Sequence, residues 1–296
     1  MQTFTIIDMN RWVIASRPKT MTAAIAPVLL GSALAYYESA FDIITFLFIL
    51  ISACLIQLGT NFTNDLFDYI KGTDNNDRLG PKRAMQAGLV SESEMKKAIF
   101  IVFSLSICFG FYLAILGGWI IVGIGLVSIL FAILYTGGPY PLAYNGLGDI
   151  FVFIFFGLIA VSGTYYLYTD YFSINSFIIG SSIGCLATAI LVVNNLRDLN
   201  NDKECGKNTL AVYFGKKFTQ FEYALLMLIA YIIPIYISID LGNKASIYIV
   251  YFTLPISIRL IVDVFYKDNS MLNETLEATA KLLLLYSFLF SFGLTV

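Results

Sequence analysis

Of the 296 residues in this chain, 58% are hydrophobic and only 13% are charged. A soluble domain of this length carries about 25% charged residues, so the composition excludes an ordinary water-soluble fold. The net charge of −2 gives no indication of a nucleic-acid partner, and none is expected. The absence of histidine excludes histidine general bases and histidine metal ligands.

The apolar residues occur in long runs, which predicts an all-α polytopic membrane protein, because about 20 consecutive apolar residues cross a bilayer as a helix. About nine such spans fit within a single domain over residues 1–296. They cover residues 14–37, 41–63, 97–117, 118–136, 147–168, 174–194, 219–239, 246–266 and 275–295. Only Gly117 and Gly118 separate the third and fourth spans, which predicts a tight helical hairpin.

Three polar segments between the spans, residues 64–96, 137–146 and 195–218, form the predicted cap over one end of the bundle. Lysine and arginine concentrate in the first and third of these segments and before the first span, whereas the opposite connections contain Lys244 alone. Because basic loops stay in the cytoplasm, the N-terminus and the cap are expected inside the cell and the C-terminus outside.

Two acidic patches lie where apolar runs end. The first patch consists of Asn64, Asp65, Asp68 and Asp74, and the second of Asn194, Asn195, Arg197, Asp198 and Asp202. Residues four apart share a helix face, so Asn64 projects with Asp68, whereas Asp65 is turned away by about 100° and is expected to support the site. Carboxylates beside a membrane are costly without a compensating cation. Oxygen ligands of this kind favour Mg²⁺ over the alternative of solvated loop carboxylates.

The two patches lie about 130 residues, or four spans, apart, which suggests a four-helix unit used twice in the same orientation, followed by a last helix. Such a repeat places both patches at one end of a central cavity. Cations accompany them, as expected for a diphosphate clamp. The candidate diphosphate contacts are Arg17, Lys19, Arg83, Arg197 and Lys207. Positive-inside topology, or anchoring of the first helix at lipid headgroups, would also place basic residues here.

A shaped turn, Tyr135-Thr136-Gly137-Gly138-Pro139-Tyr140-Pro141, follows the fourth span. Tyrosine faces above a cavity stabilise a cation by about 0.5–2 kcal/mol, which suits a developing allylic carbocation. Tyr135 is therefore a candidate catalytic residue. Tyr140 is a candidate substrate contact, as are Asp65, Asn194 and Asn195 of the two patches. The alternative is an aromatic belt at the membrane interface.

Together these motifs resemble the UbiA superfamily of intramembrane prenyltransferases, and within it the branch that acts on 1,4-dihydroxy-2-naphthoate in menaquinone synthesis. The resemblance also rests on Arg17-Pro18-Lys19-Thr20, on Arg78-x-Gly80-Pro81-x-Arg83-Ala84-Met85-Gln86-x-Gly88, on Gly146-Leu147-Gly148-Asp149 and on Gly206-Lys207-x-Thr209-Leu210-Ala211-Val212. The family often has Asp at the position of Gly72, whereas the next acid here is Asp74. That spacing leaves open whether Asp74 contacts a metal directly.

The resemblance implies nine helices around a central cavity in the inner cell membrane. It implies Mg²⁺ as cofactor and a polyprenyl diphosphate whose tail lies in an apolar tunnel open to lipid. Asn64, Asp68 and Asp74 would hold one metal ion, and Asp198 and Asp202 the other.

In the expected reaction, Asp68 and Asp198 act through metal, and Arg83, Arg197 and Lys207 stabilise the departing diphosphate. The naphthoate ring attacks at its carboxyl-bearing carbon, and loss of CO₂ restores aromaticity without a strong protein base. One alternative keeps the chemistry with 4-hydroxybenzoate, homogentisate or a porphyrin as acceptor. Another is a cation-coupled transporter, which predicts inverted repeats and acids near mid-span.

Overall fold

The computed structural model describes residues 6–75 and 79–296, with residues 6–10 as backbone only. Arg78, part of the sequence motif, lies outside the described residues. Within them the chain is all-helical: α1 (Ile6–Ser16), α2 (Thr22–Tyr37), α3 (Ile43–Ile70), α4 (Glu92–Leu134), α5 (Gly148–Val152), α6 (Ala160–Thr169), α7 (Ile174–Arg197), α8 (Leu199–Glu204), α9 (Leu210–Asp240), α10 (Leu254–Tyr266) and α11 (Leu272–Thr295). A π-helical segment, Phe153–Ile159, joins α5 to α6, and 3₁₀ turns occupy Pro18–Thr20, Leu142–Tyr144, Ala245–Thr253 and Asn269–Met271.

In the described ranges, seven helical segments are long and apolar enough to cross a membrane. An eighth arises if the bent pair Arg11–Thr20 and Thr22–Tyr37, which meet at 46°, is one span. The chain is therefore a polytopic membrane protein. The 43 residues of α4 measure about 64 Å at 1.5 Å per residue, twice the thickness of the hydrocarbon core.

Helix α4 is broken at Gly118, where the backbone adopts φ 61° and ψ −154°. Before the break, Phe103 packs so closely on Gly59 of α3 that an added Cβ would lie 2.5 Å from its ring. After the break, the chain returns to the same end of α3, where the Thr136 hydroxyl donates to Asn64 Oδ1 at 2.9 Å. The chain thus reverses at the glycine pair, as the sequence predicts. The total of nine crossings stays a prediction.

Helix α7 lies at the centre of the bundle: 72% of its most apolar 18-residue stretch is buried, against 28% for α3 and 22% for α4. Its inner surface includes Ile183 and Leu186, which pack in one core cluster with Tyr223 of α9 and Tyr286 of α11. The π-helical segment approaches α7 closely, because Gly157 lies against Gly184 and leaves no room for a side chain. The central helix therefore carries the second acidic patch on a rigid support.

Three residues of the first acidic patch, Asn64, Asp65 and Asp68, lie on helix α3, whereas Asp74 follows the end of the helix. Helix α3 continues seven residues beyond the predicted boundary at residue 63 and ends at Ile70. The polar residues of its last two turns stay helical because their buried side chains find partners in the cap, as when Ala84 N donates to Asp65 Oδ2 at 3.2 Å. The irregular part of the first cap segment ends at Ser91, which forms a capping box with Glu94 at the start of α4.

Candidate active site

A cavity of about 330 Å³ opens between α2, α3, the end of α4, α5 and α7. Its polar wall lies at the helix ends and its apolar wall deeper in the bundle. The polar wall includes Arg17, Asn64, Asp68, Arg83, Asn194, Asn195 and Lys207, and the apolar wall includes Ala53, Ile56, Phe131, Phe155 and Ile190. Asn64 and Ala53 are about 16 Å apart along α3, at 1.5 Å per residue. The cavity therefore suits an amphiphile with an anionic head.

Asp68 is the acid of the first patch that lines the cavity. Its Oδ1 accepts a 2.8 Å hydrogen bond from the Tyr144 hydroxyl, which also lies 2.6 Å from Thr73 Oγ1. Arg83 stands between two carboxylates, with NH2 3.9 Å from Asp68 Oδ2 and Nε 3.6 Å from Asp74 Oδ1. These longer ion-pair distances leave Arg83 able to exchange a carboxylate for another anion.

Asp65 points away from the cavity and is completely buried. It accepts from the backbone of Ala84 and so anchors the segment that carries Arg83. This is the supporting position that the helix geometry predicts. Asn64 faces the cavity instead, with its carbonyl oxygen fixed by Thr136.

The second patch is organised by a buried pair between Arg197 and Asp198. Arg197 Nε donates to Asp198 Oδ1 at 2.9 Å, and NH2 donates to Oδ2 at 2.5 Å. Its remaining donors bind Asn194 Oδ1 at 2.8 Å and Asn273 Oδ1 at 2.9 Å. Asn273 in turn donates to the carbonyl of Leu79 at 3.1 Å. The guanidinium therefore fixes Asp198 and ties α7 to α11 and to the cap.

Asp202, on α8, is 1% exposed, and only one of its carboxylate oxygens has a partner. Lys207 Nζ lies 3.6 Å from Oδ1, whereas the buried Oδ2 has no hydrogen-bond partner. Burial raises the pKa of Asp202 to about 6, and the neighbouring Lys207 opposes that rise. An unpaired buried carboxylate oxygen is costly, so this atom is suited to a cation.

The two patches meet at the cap. Asn201 Nδ2 donates to the carbonyl of Thr73 at 3.2 Å, and Cys205 Sγ lies 3.8 Å from the carbonyl of Gly72. The segment after α3 thus packs on α8, and Asp68 and Asp202 face the same region. The structure therefore brings together the ends of α3 and α7 that the repeat predicts to share a site.

The predicted site residues fall into three groups. Lining the cavity are Arg17, Asn64, Asp68, Arg83, Tyr135, Asn194, Asn195 and Lys207. Buried beside it are Asp65, Asp74, Arg197, Asp198 and Asp202. Lys19 and Tyr140 lie outside: Lys19 is exposed and paired with Glu277, and Tyr140 is 61% exposed. Tyr140 follows Gly138, whose φ of 77° turns the chain outward.

Tyr135 is held as a neutral phenol at the cavity wall. Burial, with the nearby carboxylates of Asp149 and Asp68, raises its pKa. Gly148 fits tightly against it, since a Cβ there would lie 3.1 Å from the Tyr135 hydroxyl. Its uncharged ring meets the requirement for stabilising a cation through the aromatic face.

Three residues of this region were not singled out from the sequence. The Tyr144 hydroxyl donates to Asp68, and Lys71 Nζ lies 4.2 Å from the centroid of the Tyr144 ring. Lys71 also donates to the carbonyl of Thr136 at 2.7 Å. Asp149 lines the cavity. Tyr144 belongs to the Gly- and Pro-rich stretch after α4, and Asp149 ends the motif Gly146-Leu147-Gly148-Asp149; the sequence assigned neither of them a role. Asn273 carried no signal, because its role depends on a contact 76 residues away.

The donor set fits Mg²⁺. In the part of the chain that the structure describes, no three acidic or cysteine side chains converge to hold an ion by themselves. Mg²⁺ commonly takes only one or two carboxylates and completes its shell with water and phosphate oxygens. Asp68 and the unpaired Oδ2 of Asp202 can supply those carboxylates, provided that a phosphate group supplies the rest.

This fold and site define a polytopic, all-helical membrane protein with a cavity suited to an amphiphile. At the polar wall of the cavity, carboxylates lie beside arginine and lysine side chains that can bind another anion instead. The UbiA prenyltransferase family matches residues 24–288, and the chain belongs to that family.

Among relatives, a 1,4-dihydroxy-2-naphthoate octaprenyltransferase from Haemophilus influenzae is 34% identical over 97% of this chain and 96% of that protein. The Escherichia coli protein of the same name is 41% identical over 73% of this chain and 72% of its own. In structure, a UbiA homologue from Aeropyrum pernix K1 in its apo form has a TM-score of 0.72 at 14% identity, covering 91% of this chain and 96% of its own. A UbiA homologue from Archaeoglobus fulgidus, bound to DMAPP and Mg²⁺, has a TM-score of 0.65 at 15% identity, covering 95% and 99%.

Proposed function

We propose that this chain transfers a polyprenyl group from a polyprenyl diphosphate to 1,4-dihydroxy-2-naphthoate, with loss of CO₂ and formation of demethylmenaquinol. The observation that carries this proposal is the cavity itself, which joins two acidic patches and their cations to an apolar wall. The naphthoate acceptor is supported by the names of relatives that are 34% and 41% identical. The cavity suits a substrate with an anionic head and a hydrocarbon tail.

The diphosphate binds at the polar wall. Arg83 and Lys207 turn from their carboxylates, which they contact at 3.6–3.9 Å, towards the phosphate oxygens, and Arg17 contacts the same group. Bound Mg²⁺ supplies further stabilisation of the charge that develops on the leaving diphosphate. Asp68 and Asp202 would hold the metal ions, with Asn64, Asp74 and Asp198 completing the two patches. That an Archaeoglobus homologue of the same fold is bound to DMAPP and Mg²⁺ supports the choice of a prenyl diphosphate and Mg²⁺ as ligands.

Arg197 has a different role from Arg83 in this proposal. Its guanidinium group already donates hydrogen bonds to Asp198, Asn194 and Asn273, so it positions the second patch for the diphosphate. The prenyl tail lies along Phe131, Phe155 and the other apolar lining residues. Tyr135 presents its neutral ring to the allylic cation as the C–O bond breaks.

We also propose that the protein lies in the cytoplasmic membrane with the cap inside the cell, which the distribution of basic residues supports. In the structure, α11 begins beside Arg197 at the cap and ends beside Ser246, where Gly293 packs. The C-terminus therefore lies at the end of the bundle opposite the cap, and with the cap in the cytoplasm it would lie outside the cell.

Acceptor selectivity tests the function. Purified protein in nanodiscs is supplied with Mg²⁺, a prenyl diphosphate and, in separate reactions, 1,4-dihydroxy-2-naphthoate, 4-hydroxybenzoate or homogentisate. We expect a prenylated product only from the naphthoate, with a mass that corresponds to loss of CO₂, and none after addition of EDTA. Preferential prenylation of 4-hydroxybenzoate or homogentisate would overturn the acceptor assignment.

A matched pair of variants tests the site. Asp68→Asn keeps the size of the side chain but removes a charge from the first patch, so we expect activity to fall at least about 100-fold, the scale of losing an electrostatic catalytic group. Asp170→Asn is the control, because Asp170 is exposed at a left-handed turn that Asn also tolerates. Equal activities for the two variants would exclude Asp68 from the metal site.

A further inference from the structure

Asp149 is a carboxylate on the cavity wall to which the reaction described above assigns no role. It lies in the first turn of α5, is 5% exposed and lines the cavity. Its Oδ1 has no hydrogen-bond partner, and no lysine or arginine among the described residues is paired with it. The patch acids differ, because Asp68, Asp74, Asp198 and Asp202 each have a cationic neighbour.

The position of Asp149 is fixed from two sides. Its backbone carbonyl accepts from Thr188 Oγ1 of α7 at 3.4 Å. Gly148, the preceding residue, packs against the Tyr135 hydroxyl and against Leu191. The titratable groups that interact electrostatically with Asp149 are Tyr135, at the end of α4, and Glu222 on α9. Neither carries a positive charge, so Asp149 is a buried acceptor without a charged donor.

Such an acceptor is costly to bury unless a ligand brings the missing donor. A polyprenyl diphosphate has no hydrogen-bond donor for a carboxylate, and a diphosphate is repelled by one. The proposed acceptor has two hydroxyl groups. The 1-hydroxyl is adjacent to the carboxyl-bearing carbon and feeds electron density into it, whereas the 4-hydroxyl is meta to that carbon and does not. The 1-hydroxyl is thus the donor whose proton matters for the reaction.

We propose that Asp149 is the general base of the reaction and binds the acceptor through its 1-hydroxyl; the inference rests on the proposed function. As the prenyl C–O bond breaks and its electron pair leaves with the diphosphate, the 1-hydroxyl proton passes to Asp149. The O–H electron pair forms a carbonyl at carbon 1, and the ring π pair forms the new bond from carbon 2 to the prenyl group.

The second half of the reaction returns the proton. The intermediate carries a ketone next to the carbon that bears the carboxylate, an arrangement that loses CO₂ readily. The electron pair of the broken C–CO₂ bond restores the ring and leaves an enolate at oxygen 1, which takes the proton back from Asp149. Asp149 ends the cycle unchanged, and no other acid, base or oxidant is required. This mechanism departs from the expectation that loss of CO₂ needs no protein base.

Asp149→Asn tests the inference, with Asp170→Asn as the control, since Asp170 is an exposed carboxylate outside the cavity lining. General base catalysis contributes about 100- to 10,000-fold, so we expect kcat of Asp149→Asn to fall at least about 100-fold. The KM for the prenyl diphosphate should stay within about threefold, because the diphosphate end is untouched. The fold loss of kcat in Asp149→Asn should be smaller with a ring-fluorinated acceptor, because its more acidic hydroxyl depends less on a base. If Asp149 had only a structural role, the fold loss would be the same for both acceptors.

Methylated acceptors test the same proton in the unaltered protein, so the inference does not depend on the folding of a variant. Without a base, loss of CO₂ alone restores aromaticity, and the 1-methoxy compound reacts. With Asp149 as base, the 1-methoxy compound is inert whereas the 4-methoxy compound reacts. Comparable turnover of both ethers would overturn the inference, because the 1-methoxy compound has no proton for a base to remove. Unchanged kcat for Asp149→Asn would also overturn it, because the reaction would then proceed without this carboxylate. No naphthoate turnover by the unaltered protein would instead refute the proposed function.

Discussion

Removal of one hydroxyl, in Tyr144→Phe, is expected to weaken Mg²⁺ binding without disturbing the fold. The hydroxyl donates to Asp68 Oδ1 at 2.8 Å and contacts Thr73, so it orients a carboxylate that holds metal in the proposed site. Losing such an outer partner typically costs 10- to 100-fold in metal affinity, or about 1.4–2.7 kcal/mol. The same range follows from the loss of a hydrogen bond to a charged group, about 1.5–3 kcal/mol. The ring remains, so its contact with Lys71 persists.

The assay is prenyl transfer measured across a Mg²⁺ titration. We expect the half-saturating Mg²⁺ concentration of Tyr144→Phe to rise by about 10- to 100-fold, while kcat at saturating Mg²⁺ changes by less than about fivefold. Tyr69→Phe is the control, because Tyr69 follows Asp68 on α3 but is 46% exposed. If both variants saturate at the same Mg²⁺ concentration, Asp68 is not a ligand oriented by Tyr144, and the reasoning fails.

Three further predictions concern packing and the second patch. Gly157→Ala should lower the free energy of unfolding by about 1–3 kcal/mol, since its Cβ would lie 2.6 Å from the Gly184 backbone. Gly163→Ala is the control, because the atom nearest to its added Cβ is 3.6 Å away, and it should leave the stability unchanged. Thermal melting in detergent measures both variants. Arg197→Lys keeps the charge but loses the two-pronged contact with Asp198, so prenyl transfer should fall at least about tenfold, and wild-type rates would contradict the positioning role. Asn273→Ala removes one partner of the same guanidinium but leaves its two-pronged contact with Asp198 in place, so it should reduce activity less than Arg197→Lys in the same assay.

The sequence predicts the main features of the fold and the location of the site because both depend on local patterns. Long apolar runs predict the membrane helices, and the Gly117-Gly118 pair predicts the reversal within α4. Polar residues four apart, Asn64 and Asp68, predict a shared helix face. The apolar run predicts a span only to residue 63, whereas α3 continues to Ile70 through a polar stretch in which Ala84 supplies a partner for Asp65.

Tertiary contacts account for what the sequence could not predict. Lys19 and Arg17 lie two residues apart in one basic motif, yet only Arg17 reaches the cavity, because Lys19 pairs with Glu277 of α11. Tyr144 acquires its role from Asp68, 76 residues earlier in the chain. Asp149 differs from the patch acids because no lysine or arginine among the described residues pairs with it in the folded chain. The spacing of residues in the sequence cannot predict that a side chain will lack a partner.

The most direct test of the account follows the carboxyl carbon of the acceptor. Purified protein is given Mg²⁺, a prenyl diphosphate and 1,4-dihydroxy-2-naphthoate labelled in its carboxyl group, and both CO₂ and the prenylated product are quantified. The account predicts one labelled CO₂ per prenylated naphthoquinol, with both abolished by EDTA. A prenylated product that retains the label would contradict attack at the carboxyl-bearing carbon, and a folded protein that forms no product with this acceptor would contradict the proposed function.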